Sequence, residues 1–398
     1  MQKLSQFVQN IEESVTLATS ARAKTLKAEG RDIIDLTLGQ PDFSTPEKIG
    51  AAAIQSIHNG KASFYTQSSG LPELKTAVSH YWQHFYGYDL SAKEILVTTG
   101  AKFALYSFFQ SVLDAGDEVI IPAPCWVSYV DQVKMSGGQP VIIPTEQAND
   151  FKLTIEQLDA AWTTKTKVLL LNSPSNPTGM IYSKSELQAI GEWAVAHDLL
   201  ILADDIYHRL TYNGAKFTAI STLSEEIRAH TIVINGVSKT FAMTGWRIGI
   251  AVGDPEIIAA MSKITSQTTS NPTTVSQYAA INAFSDEDTS SVELMRQAFE
   301  ERLNTIYPLL CEIPGFEVVK PNGAFYLFPK VSKAMQLTGF DDVTAFTTAI
   351  LEEAGVALVT GAGFNAPENV RLSYSTSLPV LLEAVKRIKA WVEAKIHE

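Results

Sequence analysis

Residues 168–207 read VLLLNSPSNPTGMIYSKSELQAIGEWAVAHDLLILADDIY. The apolar run Val168–Asn172 does not alternate, as expected of a strand covered on both faces. A turn follows, NSPSNPTG over Asn172–Gly179, in which Pro174 and Pro177 fix φ and remove N–H donors. Lys184–His197 then carries helical spacing, and Leu199–Ala203 returns as a second apolar run. Strand, helix and strand in this order predict a mostly parallel sheet covered by helices, the α/β class.

Working outward, the same alternation continues. Ile95–Thr99, Glu118–Ile121, Pro140–Ile143, Thr231–Asn235 and Ile248–Val252 read as strands, and Lys102–Leu113 as a helix. From about Asp286 the texture changes to a long charged helix, Ser290–Leu310, then short strands at Phe316–Val319, Ala324–Phe328 and Val370–Tyr374, and a terminal helix, Leu378–Ile396. The pattern predicts a large domain over residues 45–285 and a smaller α+β domain over 1–44 and 286–398. The N-terminal helix, Ser14–Glu29, is expected to return to the smaller one.

Composition narrows the function classes. The 398 residues suit two to three domains, and 45% hydrophobic with 19% charged is ordinary for a globular enzyme. A formal net charge of −12 repels phosphate backbones and anionic lipid, which argues against nucleic acid and membrane surfaces as partners. Two cysteines, Cys125 and Cys311, make no disulfide framework. The first residues, with the acidic pair Glu12-Glu13, do not read as a signal peptide, and no apolar run approaches the ~20 residues of a spanning helix. A soluble, cytoplasmic protein is the expectation.

Five segments hold candidate chemistry. The loop Asn235–Gly249, NGVSKTFAMTGWRIG, carries Lys239 and Arg247 between two buried strands, where α/β sheets bind their ligands. A desolvated lysine there has a lowered pKa, so its neutral amine can attack an aldehyde, and a nearby arginine offers a fork for phosphate. Alone, such a pair is more often a surface lysine and a salt-bridged arginine. Asn176 sits in the rigid turn after a strand. Asp204 or Asp205, at a strand's carboxyl end, either binds a ligand or caps a helix. Gly100-Ala101-Lys102 opens a helix whose free N–H groups suit an anion, although a lysine there opposes the dipole. Arg371, in NVRLSY, forms an ion pair or clamps a carboxylate. By contrast, Gly361–Ala366 matches G-x-G-x-x-A, yet Pro367 and a strand follow instead of a helix, so a nicotinamide cofactor is rejected. The seven histidines show no ligand spacing, and no metal site is expected.

Read together, LTLGQPDFSTP (36–46), YTQSSGLPELK (65–75), NSPSNPTG, ADDIY, SKTFAMTGWRIG, PNGAFY (321–326) and VRLSY resemble the class I, fold type I aminotransferases, enzymes that use pyridoxal 5′-phosphate, and are closest in motif to bacterial aspartate aminotransferases. The resemblance covers nearly the whole chain. It implies a seven-stranded large-domain sheet and a homodimer with shared active sites. It makes Lys239 the Schiff-base lysine, Asp204 the partner of the pyridine nitrogen, and Tyr207 and Asn176 the groups on the ring's phenolic oxygen. Trp126 would stack on the ring. Arg247, Ser238, the backbone of Gly100-Ala101-Lys102 and a neighbouring subunit's Tyr65 would hold the phosphate. Gly39 and Arg371 would grip the substrate α-carboxylate, with Asn176 and Trp126 beside it, and Lys102 a distal carboxylate. The implied reaction moves an amino group between an L-amino acid, aspartate foremost, and a 2-oxo acid such as 2-oxoglutarate. Aromatic transamination and C–S elimination are the alternatives on the same fold. The chain departs from the family pattern at Gln40, where Glu is frequent, and at Glu13-Ser14, where many relatives carry Pro-Ser.

Overall fold

The computed structural model describes residues 4–9, 11, 15–285 and 289–397. Glu12, Glu13 and Ser14, and with them the second departure and the expected start of the first long helix, lie outside the described residues, as do 286–288 at the expected domain boundary. Twelve strands are described: β1 (Ile34–Asp35), β2 (Ile95–Thr98), β3 (Glu118–Ala123), β4 (Gln139–Pro144), β5 (Thr166–Asn172), β6 (Leu200–Asp204), β7 (Thr231–Gly236), β8 (Gly249–Val252), β9 (Tyr326–Leu327), β10 (Val356–Ala357), β11 (Val359–Thr360) and β12 (Val370–Ser373).

Seven of them make one sheet in the order β2-β8-β7-β6-β5-β3-β4. β3 to β7 pair in parallel, while β8 runs antiparallel to both β2 and β7. The stretch between β7 and β8 holds only one 3-10 turn, Thr244–Trp246. Lacking the helix that usually completes a crossover, the chain turns straight back. Alternation along β5 sends Leu169 and Leu171 to one face, against Ile190 and Trp193, and Val168 and Leu170 to the other, against Phe108 and Phe109. Helices therefore cover both faces, and the strands read as unbroken apolar runs.

A second core gathers Phe299, Leu303, Phe325, Phe346 and Trp391 around a small antiparallel sheet, β11-β12-β9. Leu36, near β1, joins it, because β1 pairs in parallel with β10 more than 300 residues later. Helix Val15–Ala28 packs near it through Ala23 and Leu26, against Leu351 and Ala357. Two expected strands are shorter than their patterns. Phe316–Val319 contributes only the isolated bridge Glu317–Lys330, flanked by Pro321 and Pro329, which have no N–H to extend a ladder. Ala324–Phe328 shrinks to Tyr326–Leu327, since Ala324 takes φ 56°. Gly361–Phe364 forms one 3-10 turn capped by the Thr360 hydroxyl. No described helix is long and apolar enough to cross a membrane.

Candidate active site

Three adjacent parallel strands end together. Asn172 on β5 is in register with Asp204 on β6, and Asp204 with Ile234 on β7. The Asn172 side-chain amide donates to the Asp204 carbonyl at 2.8 Å, tying the ends. Past β7 the chain passes through buried Ser238 to Lys239. A carboxylate and an amine thus reach one cavity at the carboxyl edge of the sheet, where open α/β sheets place ligands.

Asp204 is 4 % exposed. Its Oδ2 accepts from the Tyr129 hydroxyl at 2.7 Å, and its Oδ1 from the Ile206 N–H at 3.2 Å. Burial pushes this carboxyl up to about 6, against the pull of those donors and the Lys239 charge. Lys239 is lowered to about 7, first by desolvation and then by the positive charges of Arg371 and Arg247, with Asp204 opposing. Its Nζ donates to the Gly39 carbonyl and lies 5.7 Å from the Phe325 ring centroid. An amine tuned this way is roughly half neutral near pH 7, and the neutral form is the state a nucleophile or general base needs.

Arg371, on β12, is 2 % exposed. Its Nη1 donates to Asn176 Oδ1 at 3.0 Å and its Nη2 to the Thr37 carbonyl at 2.7 Å. Both acceptors are neutral, and Nε is buried without a hydrogen-bond partner. The guanidinium packs over Tyr326, 4.5 Å from the ring centroid. Such a cation is held for an anion that the protein itself does not supply.

A second cationic corner lies at the start of helix Ala101–Val112. Gly100, at φ 83°, allows Arg247 to lie against it: a Cβ there would sit 2.2 Å from Arg247 Nη2. Arginine and helix N-terminus together make a cradle for a doubly charged anion. Lys102 in the same turn places Nζ 4.8 Å from the Trp126 ring centroid, and desolvation and Arg247 hold it below the usual lysine value.

The cavity measures about 310 Å³. Of the residues singled out from sequence, Gly39, Ala101, Lys102, Trp126, Asn176, Asp204, Tyr207, Ser238, Lys239, Arg247 and Arg371 line it. Gly100 backs Arg247. Tyr65 lies apart on the surface, 91 % exposed. Gln40, where the family pattern often has Glu, is also on the wall. Sequence reading missed Asn172, Tyr129 and Tyr326. Tyr326 hydrogen-bonds the Tyr207 hydroxyl at 2.9 Å, and its own hydroxyl would meet a Cβ at Gly39 at 2.7 Å. Trp126 lies outside helix Ser128–Met135, and the partner that places Tyr129 at the site is 75 residues away, so no local signal marks it.

These donors fit pyridoxal phosphate. The amine suits its aldehyde, the buried carboxylate its ring nitrogen, and the cradle at Gly100 and Arg247 its phosphate, while Nε of Arg371 is buried without a partner. The family model Aminotransferase class I and II matches residues 31–388. An asparagine–oxo-acid transaminase of Streptococcus mutans is 68% identical over 394 residues, covering 99% of this chain and 100% of the relative. An aspartate aminotransferase of Bacillus subtilis is 52% identical over 391 residues, 98% of this chain and 99% of the relative. Among solved structures, the aspartate aminotransferase of Thermus thermophilus with maleate superposes with a TM-score of 0.93 at 38% identity, over 98% of this chain and 100% of that one. With sequence and fold agreeing from end to end around such a cavity, the chain belongs to the class I and II aminotransferases, pyridoxal-phosphate enzymes that move amino groups between amino acids and 2-oxo acids.

Proposed function

We propose that this transaminase takes aspartate as its main amino donor and 2-oxoglutarate as acceptor. The observation that carries the reading is Lys102 beside Trp126 on the cavity wall, a second cation besides Arg371 for a second carboxylate. The bound cofactor supplies an electron sink for charge developing at the substrate Cα. Lys239 would hold the cofactor through its Nζ and, once free, would move the proton at the substrate Cα. Asp204 would keep a proton on the pyridine nitrogen. Tyr207 and Asn176 would donate to the phenolic oxygen, and Trp126 would cover the ring. Arg247, Ser238 and the N-terminus of helix Ala101–Val112 would bind the phosphate. Arg371, with the Gly39 backbone, orients the α-carboxylate.

Asparagine is the second reading, favoured by the name of the 68% identical relative. A side-chain amide oxygen also accepts from an ammonium, so Lys102 serves either donor. The deciding measurement is kcat/KM for aspartate, asparagine and phenylalanine with 2-oxoglutarate. Lys102→Ala is expected to cost aspartate about ten- to a few hundred-fold, the worth of a charge-assisted bond, and to spare phenylalanine. Equal loss on both would make Lys102 a cofactor or structural residue. An asparagine value tenfold above aspartate would replace the first reading by the second.

The enzyme is further read as a cytoplasmic homodimer in which Tyr65 reaches the neighbour's phosphate. Support comes from the exposure of Phe64 at 73 % and Tyr65 at 91 % on one chain alone. The division into residues 45–285 and residues 1–44 with 286–398 is supported by two cores drawn mostly from one part each, although Ile206, Tyr207, Leu210 and Tyr212 pack in the second and Val292 in the first.

A further inference from the structure

Two carboxylates stand side by side at the end of β6. Asp204 and Asp205 are each 4 % exposed. Successive residues of an extended segment point to opposite sides, so each meets its own surroundings. Tyr129, Tyr207 and Lys239 face Asp204. Tyr86, Tyr88 and His208 surround Asp205.

The donors are unequal. Asp204 accepts from the Tyr129 hydroxyl at 2.7 Å and the Ile206 N–H at 3.2 Å, with the Lys239 charge nearby. Asp205 accepts from the Tyr86 hydroxyl at 3.2 Å, and that hydroxyl is itself held by the Asn235 amide at 2.9 Å. Burial and the Asp204 charge both raise Asp205 well above the usual carboxylate range. His208, buried and lowered to about 3, offers no compensating charge. Two adjacent buried carboxyls titrate as a pair, and the better-served member takes the charge.

We propose that Tyr129 is a positioning residue whose hydroxyl, with the Ile206 N–H, makes Asp204 the ionised member of this pair and leaves the proton on Asp205. The inference rests on the reading of Asp204 as partner of the cofactor's ring nitrogen. Tyr129 thereby fixes how much negative charge faces that nitrogen, acting through Asp204.

Pyridoxal-phosphate dissociation constants, measured by equilibrium dialysis on Tyr129→Phe, Asp205→Asn, their double variant and Asp204→Asn, test this. Tyr129→Phe should bind the cofactor about tenfold more weakly, because part of the pair's charge moves to Asp205. Asp205→Asn alone should bind like the parent. Added to Tyr129→Phe, it should restore affinity to within about threefold, since only Asp204 is then left to ionise. A merely structural loss at Tyr129 would not be mended from the far side of the strand. Unchanged affinity in Tyr129→Phe, or no recovery in the double variant, overturns the proposal. Asp204→Asn separates the two failures: if it weakens binding while Tyr129→Phe does not, this inference alone falls. If it too binds like the parent, the assignment of Asp204 falls with it.

Discussion

At Lys239 an ammonium is more costly than in water, because burial and two arginines act on it together. The folded value of about 7 lies below the unfolded 10.5, so between these the unfolded chain holds a proton that the folded chain lacks. Stability of the cofactor-free protein therefore rises with pH across that window, and the penalty is full below pH 7. Cofactor-free Lys239→Met should be more stable than the parent at pH 6 by about 1–3 kcal/mol, with the advantage fading by pH 10. Urea unfolding at both pH values checks this; an advantage that grows with pH contradicts it. The loaded Lys239→Met should also lose the borohydride-reducible linkage and transamination. The neighbouring carboxylates should separate just as clearly. Asp204→Ala is expected to lower kcat ~100-fold or more, whereas Asp205→Ala stays within a few-fold. Steady-state rates with saturating cofactor give the ranking, and the reverse order would transfer the role.

Among elements, one tight backbone junction near the site is where β8 passes the start of helix Ala101–Val112. A Cβ on Gly249 would lie 2.4 Å from both the Ala101 nitrogen and the Gly100 carbonyl carbon, which are backbone atoms with nowhere to go. Gly249→Ala should destabilise by about 1–3 kcal/mol. Gly50, inside helix Glu47–His58, has open space where a methyl would go, with no atom within 4 Å, so Gly50→Ala should stabilise by about 0.5–1 kcal/mol. Denaturant midpoints of the two variants should move in opposite directions. The buried parallel strands were legible in the sequence because continuous apolar runs such as Val168–Leu171 have no other stable home. Pairing direction was not, since nothing in Ile248–Val252 itself says that β8 runs backwards; the missing crossover helix decides it. Short strands of the second core were overread, as at Phe316–Val319, where prolines in the flanks outweigh apolar residues. Lys239, Asp204, Asn176 and Arg371 could be picked out because each sits in a local pattern. Tyr129 and Tyr326 have partners 75 and 119 residues away, and no local pattern carries that information.

For the whole molecule, the exposed Tyr65 leads to a test of shared sites. Lys239→Ala and Tyr65→Ala proteins, each impaired alone, should regain activity when mixed and allowed to exchange subunits at limiting cofactor. One of the two sites in a hybrid then has both Lys239 and Tyr65 intact. A mixture no better than the sum of its parents argues that each chain completes its own site. The strap from Ile34 to Thr45 carries a different consequence. Thr37 accepts from Arg371 across 334 residues, Gly39 from Lys239 across 200, and β1 waits for Val356–Ala357. Gly39 is made 200 residues ahead of Lys239, and Thr37 334 residues ahead of Arg371. During vectorial synthesis the large sheet can form while the strap trails unpaired, so a nascent chain stalled before Arg371 has its lysine and aspartate already made but no closed chamber to retain a vitamin. Retention of the cofactor should therefore require the chain to extend past Arg371, and a chain truncated before that residue should lose pyridoxal phosphate on dialysis.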